Sequence, residues 1–284
     1  MNKSNEYSID SLLLVLVIYE KSFSNICFLK SLYDINFNVE VFVYDNSLLP
    51  QKKDFPGLNI QYVHDSSNPG VSTAYNNAFL YAYKNNKTAV LLLDQDTSFD
   101  PNYLPYYLNM YNKYGDNYIY APIITNALAC KVYSPSYMKS FVGKVSSIQD
   151  INYNEIYSLS DKSVINSGLL IPLNIYKKIG GYNSKIKLDF SDIYFVEKYK
   201  KINDKIILLD CYVKHSLSGD EGLNIAAEIK RFPYYCNGAI ELTKSLKRST
   251  LWTVFRRTTS LVLKYRTITP ILVFFRFYIM REKI

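Results

Sequence analysis

Four short aliphatic runs alternate with segments of helical periodicity over the first hundred residues, and this pattern restricts the fold more than any other feature of the chain. The runs span residues 12–19, 39–44, 60–63 and 89–93. A strand that is apolar on both faces is typical of a parallel sheet covered by helices on each side. Between the runs, Ile26, Leu29 and Tyr33 mark one helix face, and apolar residues from Val71 to Ala82 mark another. An α/β fold with a mostly parallel central sheet flanked by helices is therefore predicted.

The pattern is less regular after residue 118. Strands are predicted at 164–171 and 206–213, and helices at 174–179 and 190–201. Gly180-Gly181 is predicted to end the first of these helices. The stretch from 118 to 163 is predicted to hold a strand with a long loop.

Charge divides the chain in two. Residues 229–284 carry twelve lysines and arginines against two acidic residues, whereas residues 1–228 carry 21 basic and 23 acidic residues. We therefore expect one domain at 1–228 and a basic, aromatic, amphipathic helical region at 229–284. Such a region can lie on an anionic membrane surface with its apolar side inward. The alternative is a helix that packs on the first domain and leaves its charges solvated.

Composition and motifs exclude several classes of protein. The four cysteines are scattered without a CxxC pair, which argues against a disulfide scaffold and fits a reducing compartment. Asp10 precedes the first apolar run where a signal peptide has basic residues, and no stretch reaches the roughly 18–20 apolar residues of a membrane span. A cytoplasmic protein is expected. The ten glycines form no dinucleotide-binding or P-loop motif.

Carboxylates follow two of the predicted strands. Asp94 and Asp96 flank Gln95 directly after the run 89–93, and Asp45 follows the run 39–44. Carboxyl ends of parallel strands meet at one edge of a sheet, where ligands bind, and paired carboxylates suit a hard divalent cation. The alternative is that these aspartates only stabilise turns. Asn68-Pro69-Gly70 is a loop that feeds the N-terminus of the second helix, a place suited to phosphate oxygens.

An ordered set of motifs extends over about residues 12–220. They are Val17-Ile18-Tyr19, Tyr44-Asp45-Asn46-Ser47, Asn68-Pro69-Gly70-Val71 with Asn76 and Asn77, Asp94-Gln95-Asp96, Asn166-Ser167-Gly168, Gly180-Gly181-Tyr182, Leu188 to Asp192, His215-Ser216-Leu217 and Gly219-Asp220. Together they resemble the inverting family 2 glycosyltransferases of the GT-A fold, and among them the bacterial rhamnosyltransferases. We associate a glutamine in the middle of the acidic motif, here Gln95, with the rhamnosyltransferases. The chain departs from that pattern at Ser191, Tyr194, Lys198 and Gly238-Ala239.

The resemblance implies a role for each matching residue. Asp192 is the implied catalytic base, and Mg²⁺ or Mn²⁺ would be held by Asp94, Asp96 and His215. The implied nucleotide-sugar contacts are Tyr19, Asp45, Asn68, Gly70, Asn76, Asp94 and Gln95. Asp189 and Gly168 are implied to support the base or the acceptor. Asp189 lies one helical turn before Asp192, and two nearby carboxylates can raise one pKa toward neutrality; the alternative is that both only open the helix.

The resemblance also implies substrates and a location. A GT-A domain at 1–228 would transfer rhamnose from dTDP-β-L-rhamnose to a lipid-linked glycan in bacterial surface polysaccharide synthesis, on the inner face of the plasma membrane. A UDP-sugar donor is one alternative, and a non-catalytic protein that binds nucleic acid or membrane is another. No nucleic-acid recognition motif accompanies the basic region, so no nucleic-acid partner is expected. Assembly of the chain into a homo-oligomer is a further possibility that the sequence leaves open.

Overall fold

The parallel half of the sheet is built from the predicted aliphatic runs. The computed structural model describes residues 7–126, 131–139, 141–147, 155–215 and 225–284. The first strands are β1 (Leu12–Ile18), β2 (Val41–Asp45), β3 (Ile60–His64) and β4 (Ala89–Asp94). They lie in the order β3-β2-β1-β4 with every pair parallel, and α1 (Cys27–Asp34) and α2 (Val71–Lys84) connect them. These strands and helices confirm the prediction for this half.

The side chains of β1 enter two separate cores. Leu12, Leu14 and Leu16 pack on the face covered by α1, whereas Leu13 and Val15 pack on the face covered by α2. Successive side chains of a strand point to opposite faces, so an uninterrupted apolar run requires apolar cover on both sides. Each of these fully buried side chains contributes roughly 1.5–3 kcal/mol to the free energy of unfolding.

The rest of the sheet is mainly antiparallel. Its strands are β5 (Thr97–Ser98), β6 (Tyr120–Thr125), β7 (Lys131–Lys139), β8 (Val142–Ser147), β9 (Ile156–Ser158), β10 (Lys162–Ser163), β11 (Leu170–Pro172) and β12 (Lys205–His215). Only β6 and β12 pair in parallel among them. The sheet is therefore mixed, and the prediction of a mostly parallel sheet is wrong for this half. Connections such as the two residues between β7 and β8 are too short for a crossover and permit only antiparallel pairing.

Two further expectations for this half are wrong in extent. The stretch 118–163 contains several strands instead of one, and strands such as β7 and β9 include exposed positions and lack the uninterrupted apolar run by which a strand is recognised. The predicted strand 164–171 is reduced to Leu170–Pro172, because the chain turns at Asn166-Ser167-Gly168, where Gly168 has a φ of 76°. The helix α3 (Leu104–Tyr114) was not predicted.

Helices complete the architecture. The predicted helices at 174–179 and 190–201 are present as α4 (Leu173–Ile179) and α5 (Ser191–Tyr199). Toward the C-terminus lie α6 (Ile225–Leu246), α7 (Leu251–Tyr265), α8 (Thr269–Val273) and a π-helical segment (Phe274–Ile279). Their apolar side chains share a buried cluster with Phe141, Ile186 and Phe190. Within the described ranges, no helix combines the length and apolarity needed to cross a bilayer.

Candidate active site

The acidic turn after β4 lies beside the end of β12. Antiparallel pairing of β5 with β12 places Thr97 opposite His215, which brings the imidazole next to the preceding Asp96. The His215 Nδ1 atom is 3.5 Å from a carboxylate oxygen of Asp96 and 3.1 Å from Thr97 Oγ1. One potential ligand atom from each of Asp94, Asp96 and His215 lies within 4.8 Å of the other two. The structure thus brings together all three residues of the expected metal site.

Asp94 is fixed in place by two hydroxyl groups. Tyr75 on α2 donates a hydrogen bond of 3.1 Å to one carboxylate oxygen, and Ser167 donates to the other. Ser167 reaches Asp94 because the turn that shortens the predicted strand folds back onto β4, where the Gly168 N–H donates to the Leu92 carbonyl. A Cβ at Gly168 would approach Pro122 Cγ to 2.6 Å, so only glycine fits here. Gly168 therefore helps to position Asp94 indirectly, through the turn that carries Ser167.

Gln95 connects the acidic turn to the end of β1. Its side-chain oxygen accepts a hydrogen bond of 2.8 Å from the Tyr19 N–H, and its main-chain carbonyl accepts one of 2.9 Å from Lys21 Nζ. The Tyr19 ring is 46% exposed, which leaves it available to a ligand. Lys21 was not anticipated from the sequence, since it lies beyond the end of the apolar run and belongs to no motif.

Asp45 is buried and its carboxylate is occupied by the turn that follows β2. The Ser47 N–H donates to one oxygen at 2.8 Å, while the Gln51 N–H at 3.0 Å and the Tyr62 hydroxyl donate to the other. Burial alone would raise the pKa of Asp45, but these hydrogen bonds outweigh it and lower the pKa. The hydrogen bonds show the turn-stabilising role of Asp45 directly, and its contact to a nucleotide sugar stays a prediction.

The loop 68–70 and Asn76 are tied to the chain segment before α5. Gly70 has a φ of 93°, and a Cβ there would lie 2.1 Å from the Lys187 carbonyl oxygen. That oxygen accepts the Val71 N–H at 2.8 Å, so the first free N–H of α2 is used within the chain. Asn76 uses its amide to bind both backbone groups of Tyr182. Gly70 and Asn76 thus shape the site, and donor contacts from them or from Asn68 stay predictions.

Asp192 lies in the first turn of α5 and is partly buried. Burial, with smaller contributions from the charges of Asp189 and Asp94, raises its pKa to about 6, against an opposing hydrogen bond of 2.7 Å from the Ile193 N–H. The turn at 166–167 connects the start of α5 to the acidic turn, because Asn166 donates a hydrogen bond of 3.4 Å to Ser191 Oγ while Ser167 donates to Asp94. A carboxylate with a pKa near 6 is suited to accept a proton at neutral pH.

Arg231 on α6 holds Asp189 in a two-pronged ion pair. The Arg231 guanidinium donates hydrogen bonds of 2.6 and 3.1 Å to the two carboxylate oxygens. Burial lowers the pKa of Arg231, but the charges of Asp189, Glu228 and Asp96 raise it more, so the cation stays protonated. The sequence counts Arg231 among many basic residues after position 229 and gives no sign that it faces an aspartate 42 residues earlier.

Part of the predicted motif set falls outside the described residues. Ser216, Leu217, Gly219 and Asp220 follow His215 there, so their placement is not described.

Comparisons with known proteins bear on this site. No curated protein matches the chain. One similar solved structure is a proposed glucose-1-phosphate thymidylyltransferase from Bacillus anthracis in complex with a sucrose, with 10% identity and a TM-score of 0.40 over 72% of this chain and 87% of that one. Another is a proposed nucleotide-diphospho-sugar transferase from Desulfovibrio desulfuricans G20, with 9% identity and a TM-score of 0.39 over 90% of this chain and 98% of that one. Structural similarity at these TM-scores supports no conclusion about the function of this chain.

A family model gives a more specific match. The model described as glycosyl transferase family 2 matches residues 29–167, just under half of the chain. The matched segment contains Asp45, the loop and helix at 68–77, and the acidic turn Asp94-Gln95-Asp96. This match supports a glycosyltransferase of family 2.

Proposed function

We propose that this chain is a metal-dependent, inverting glycosyltransferase that moves rhamnose from dTDP-β-L-rhamnose to a hydroxyl group of a lipid-linked glycan, during synthesis of a bacterial surface polysaccharide such as O-antigen or capsule. The observation that carries the proposal is that Asp94, Asp96 and His215 converge at one edge of the sheet. The first turn of α5, which carries Asp192, is linked to Asp94 through the hydrogen bonds of the turn at 166–167. The family 2 match supports the reaction class. The glutamine in the middle of the acidic motif, Gln95, supports rhamnose as the donor sugar.

The residues of the acidic turn fit a divalent cation. Two carboxylates and one imidazole offer ligand atoms within 4.8 Å of one another, and carboxylates are preferred by Mg²⁺ and Mn²⁺. The hydrogen bonds that Asp94 accepts from Tyr75 and Ser167 are of the kind that orient metal-ligating carboxylates. When bound, such an ion offsets the negative charge that builds on the departing nucleotide diphosphate.

The proton transfer is assigned to Asp192. The acceptor hydroxyl oxygen attacks the anomeric carbon of the donor sugar as the bond from that carbon to the diphosphate oxygen breaks, and the bonding electrons leave with the diphosphate. Asp192 accepts the hydroxyl proton during the attack. Because attack and departure occur on opposite faces of the sugar, the anomeric configuration inverts. Asp189, held by Arg231, keeps a second negative charge near Asp192 and so favours proton uptake.

The donor is tested with a panel of nucleotide sugars. Incubation of the full chain with dTDP-β-L-rhamnose, UDP-glucose or UDP-galactose, each with Mn²⁺ and a polyprenyl-diphosphate glycan, is expected to give the fastest transfer with dTDP-β-L-rhamnose. The product linkage, assigned by NMR, is expected to be α. Faster transfer from a UDP-sugar would replace the rhamnosyl donor and keep the reaction class, whereas retention of configuration would contradict the single-step mechanism.

Membrane association is proposed for the C-terminal helices. α7 buries Val254 and Leu261 against the protein but leaves Trp252, Phe255 and Leu263 exposed. Aromatic side chains beside arginines and lysines suit the headgroup region of an anionic membrane. Such contact would place the enzyme on the cytoplasmic face of the plasma membrane, where a lipid-linked acceptor is accessible.

A double substitution tests this contact. The Trp252→Ser, Phe255→Ser variant is expected to lose most of its co-sedimentation with phosphatidylglycerol vesicles, because two exposed aromatic rings no longer enter the interface. Tyr83→Ser removes a ring on α2 that is 68% exposed and serves as the matched control, with binding unchanged. Equal sedimentation of both variants would place the membrane contact elsewhere on the protein.

A further inference from the structure

A cavity of about 360 Å³ lies between α6 and α7, beside the segment that precedes α5. Its charged lining consists of Arg231 and Glu228 from α6, Arg256 and Arg257 from α7, and Asp189. The volume lies at the small end of the range for ligand sites in proteins. Arginines outnumber carboxylates here by three to two, so the cavity carries a net positive charge.

Two of the three arginines are held by carboxylates. Arg257 approaches Glu228 to 2.5 Å, and Glu228 is only 3% exposed and also lies 3.7 Å from Lys264. Arg231 is held by Asp189 through both guanidinium contacts described above. Because each carboxylate is engaged by its own arginine, neither is free to neutralise the third guanidinium.

Arg256 is that third arginine. Its guanidinium forms no ion pair and no hydrogen bond with any other residue in the described part of the chain, and the residue is exposed to solvent. Phe232 and Tyr235 add aromatic rings to the lining of the same cavity. A free guanidinium that shares a partly apolar cavity with two fixed ones favours an anion with several oxygens, because arginine binds phosphate groups through two parallel hydrogen bonds.

The position of the cavity bears on which substrate would carry that anion. Asp189 lines the cavity and lies three residues before Asp192, just ahead of the first turn of α5, so the cavity borders the segment that carries the proposed base. The donor diphosphate is assigned to the acidic turn with its cation, whereas the base acts on the acceptor. We propose that this cavity binds the phosphate or diphosphate group of the acceptor substrate, with Arg256 as its principal contact. This assignment rests on the proposed glycosyltransferase function.

Direct binding is tested without metal. Titration of the full chain with inorganic pyrophosphate in EDTA, followed by calorimetry, is expected to show saturable binding that Arg256→Gln weakens roughly 10- to 100-fold, the loss expected for one charge-assisted hydrogen-bonding group. Arg281→Gln, an exposed arginine remote in sequence from the cavity lining, is the matched control and should bind like the unmodified chain. Equal affinity in the unmodified chain and Arg256→Gln, or no binding at all, would overturn the proposal.

Acceptor kinetics separate the sources of the anion. The same glycan is supplied on a polyprenyl diphosphate, on a short water-soluble alkyl diphosphate, and as an octyl glycoside without phosphate. Arg256→Gln is expected to raise KM roughly 10- to 100-fold for both diphosphates and to leave KM for the octyl glycoside and the donor unchanged. A rise for the polyprenyl acceptor alone, or for no acceptor, would overturn the diphosphate assignment while transferase activity persisted. Absence of transfer from every donor would sink the proposed function, and the pyrophosphate titration would still decide whether the cavity binds an anion.

Discussion

Replacing Asp192 by asparagine is expected to lower the rate of sugar transfer by roughly 10²- to 10⁴-fold, the range contributed by a general base. The amide has the same shape but cannot accept the acceptor proton, so affinity for the donor should change little. Transfer kinetics and a titration with the donor in the presence of Mn²⁺ measure the two quantities separately. Asp204→Asn changes an exposed carboxylate in the same way and should leave both unchanged.

The pH dependence gives an independent check on Asp192. Transfer by the unmodified enzyme should rise as the pH increases through about 6, because only the ionised carboxylate accepts a proton. A bound cation would offset the contribution of Asp94 to this pKa and leave burial and Asp189 as its causes. Loss of donor affinity in Asp192→Asn, without loss of the rate at saturating donor, would reassign the residue from base to donor contact.

The same substitution is expected to stabilise the folded chain near neutral pH. The pKa of Asp192 is higher in the folded state than in the unfolded chain, so its contribution to stability is present at low pH and is lost as the pH rises through about 6. Asparagine avoids the cost of ionising this partly buried group, roughly 1–3 kcal/mol. Urea denaturation at pH 7.5 should show the gain, which should shrink at pH 5. A less stable variant at pH 7.5 would contradict the raised pKa.

Asp96→Asn is the second substitution with a large expected effect. It removes one of the two carboxylates from the candidate metal site, together with the charge that faces His215 at 3.5 Å. Substitution of residues that only orient metal ligands typically lowers metal affinity roughly 10- to 100-fold. Asp96 is itself a candidate ligand, so we expect the affinity for Mn²⁺ to fall by about 100-fold or more. Transfer at a fixed Mn²⁺ concentration should fall with it.

The matched control is Asp100→Asn. Asp100 lies four residues further along and caps the short helical turn at 101–103 by accepting the Asn102 N–H, a role that asparagine also performs. Mn²⁺ binding, followed by electron paramagnetic resonance, should be unchanged in this variant. Full activity of the unmodified enzyme in EDTA, or equal Mn²⁺ binding by Asp96→Asn and Asp100→Asn, would refute the metal assignment.

The half of the site that follows parallel strands was predictable, whereas the half that depends on turns and helix packing was not. Asp45 and Asp94 end strands whose burial on both faces is visible in the sequence, so their common edge follows from strand geometry. The resemblance implies a donor contact for Gly70, whereas the close approach of the Lys187 backbone, which requires glycine there, is visible only in the structure. Distant contacts of this kind leave no periodic signal in the sequence.

The sequence by itself determined the parallel strands, the order of the acidic motifs and the basic character of the C-terminal region, because burial on both faces and charge are local properties of the chain. Only the tertiary structure decided that the sheet is mixed, that His215 comes beside Asp96, and that Arg231 holds Asp189. These features join residues far apart in the chain, and their pairing is set by strand register and by how α6 packs on the domain. Neither register nor packing is encoded in a local pattern.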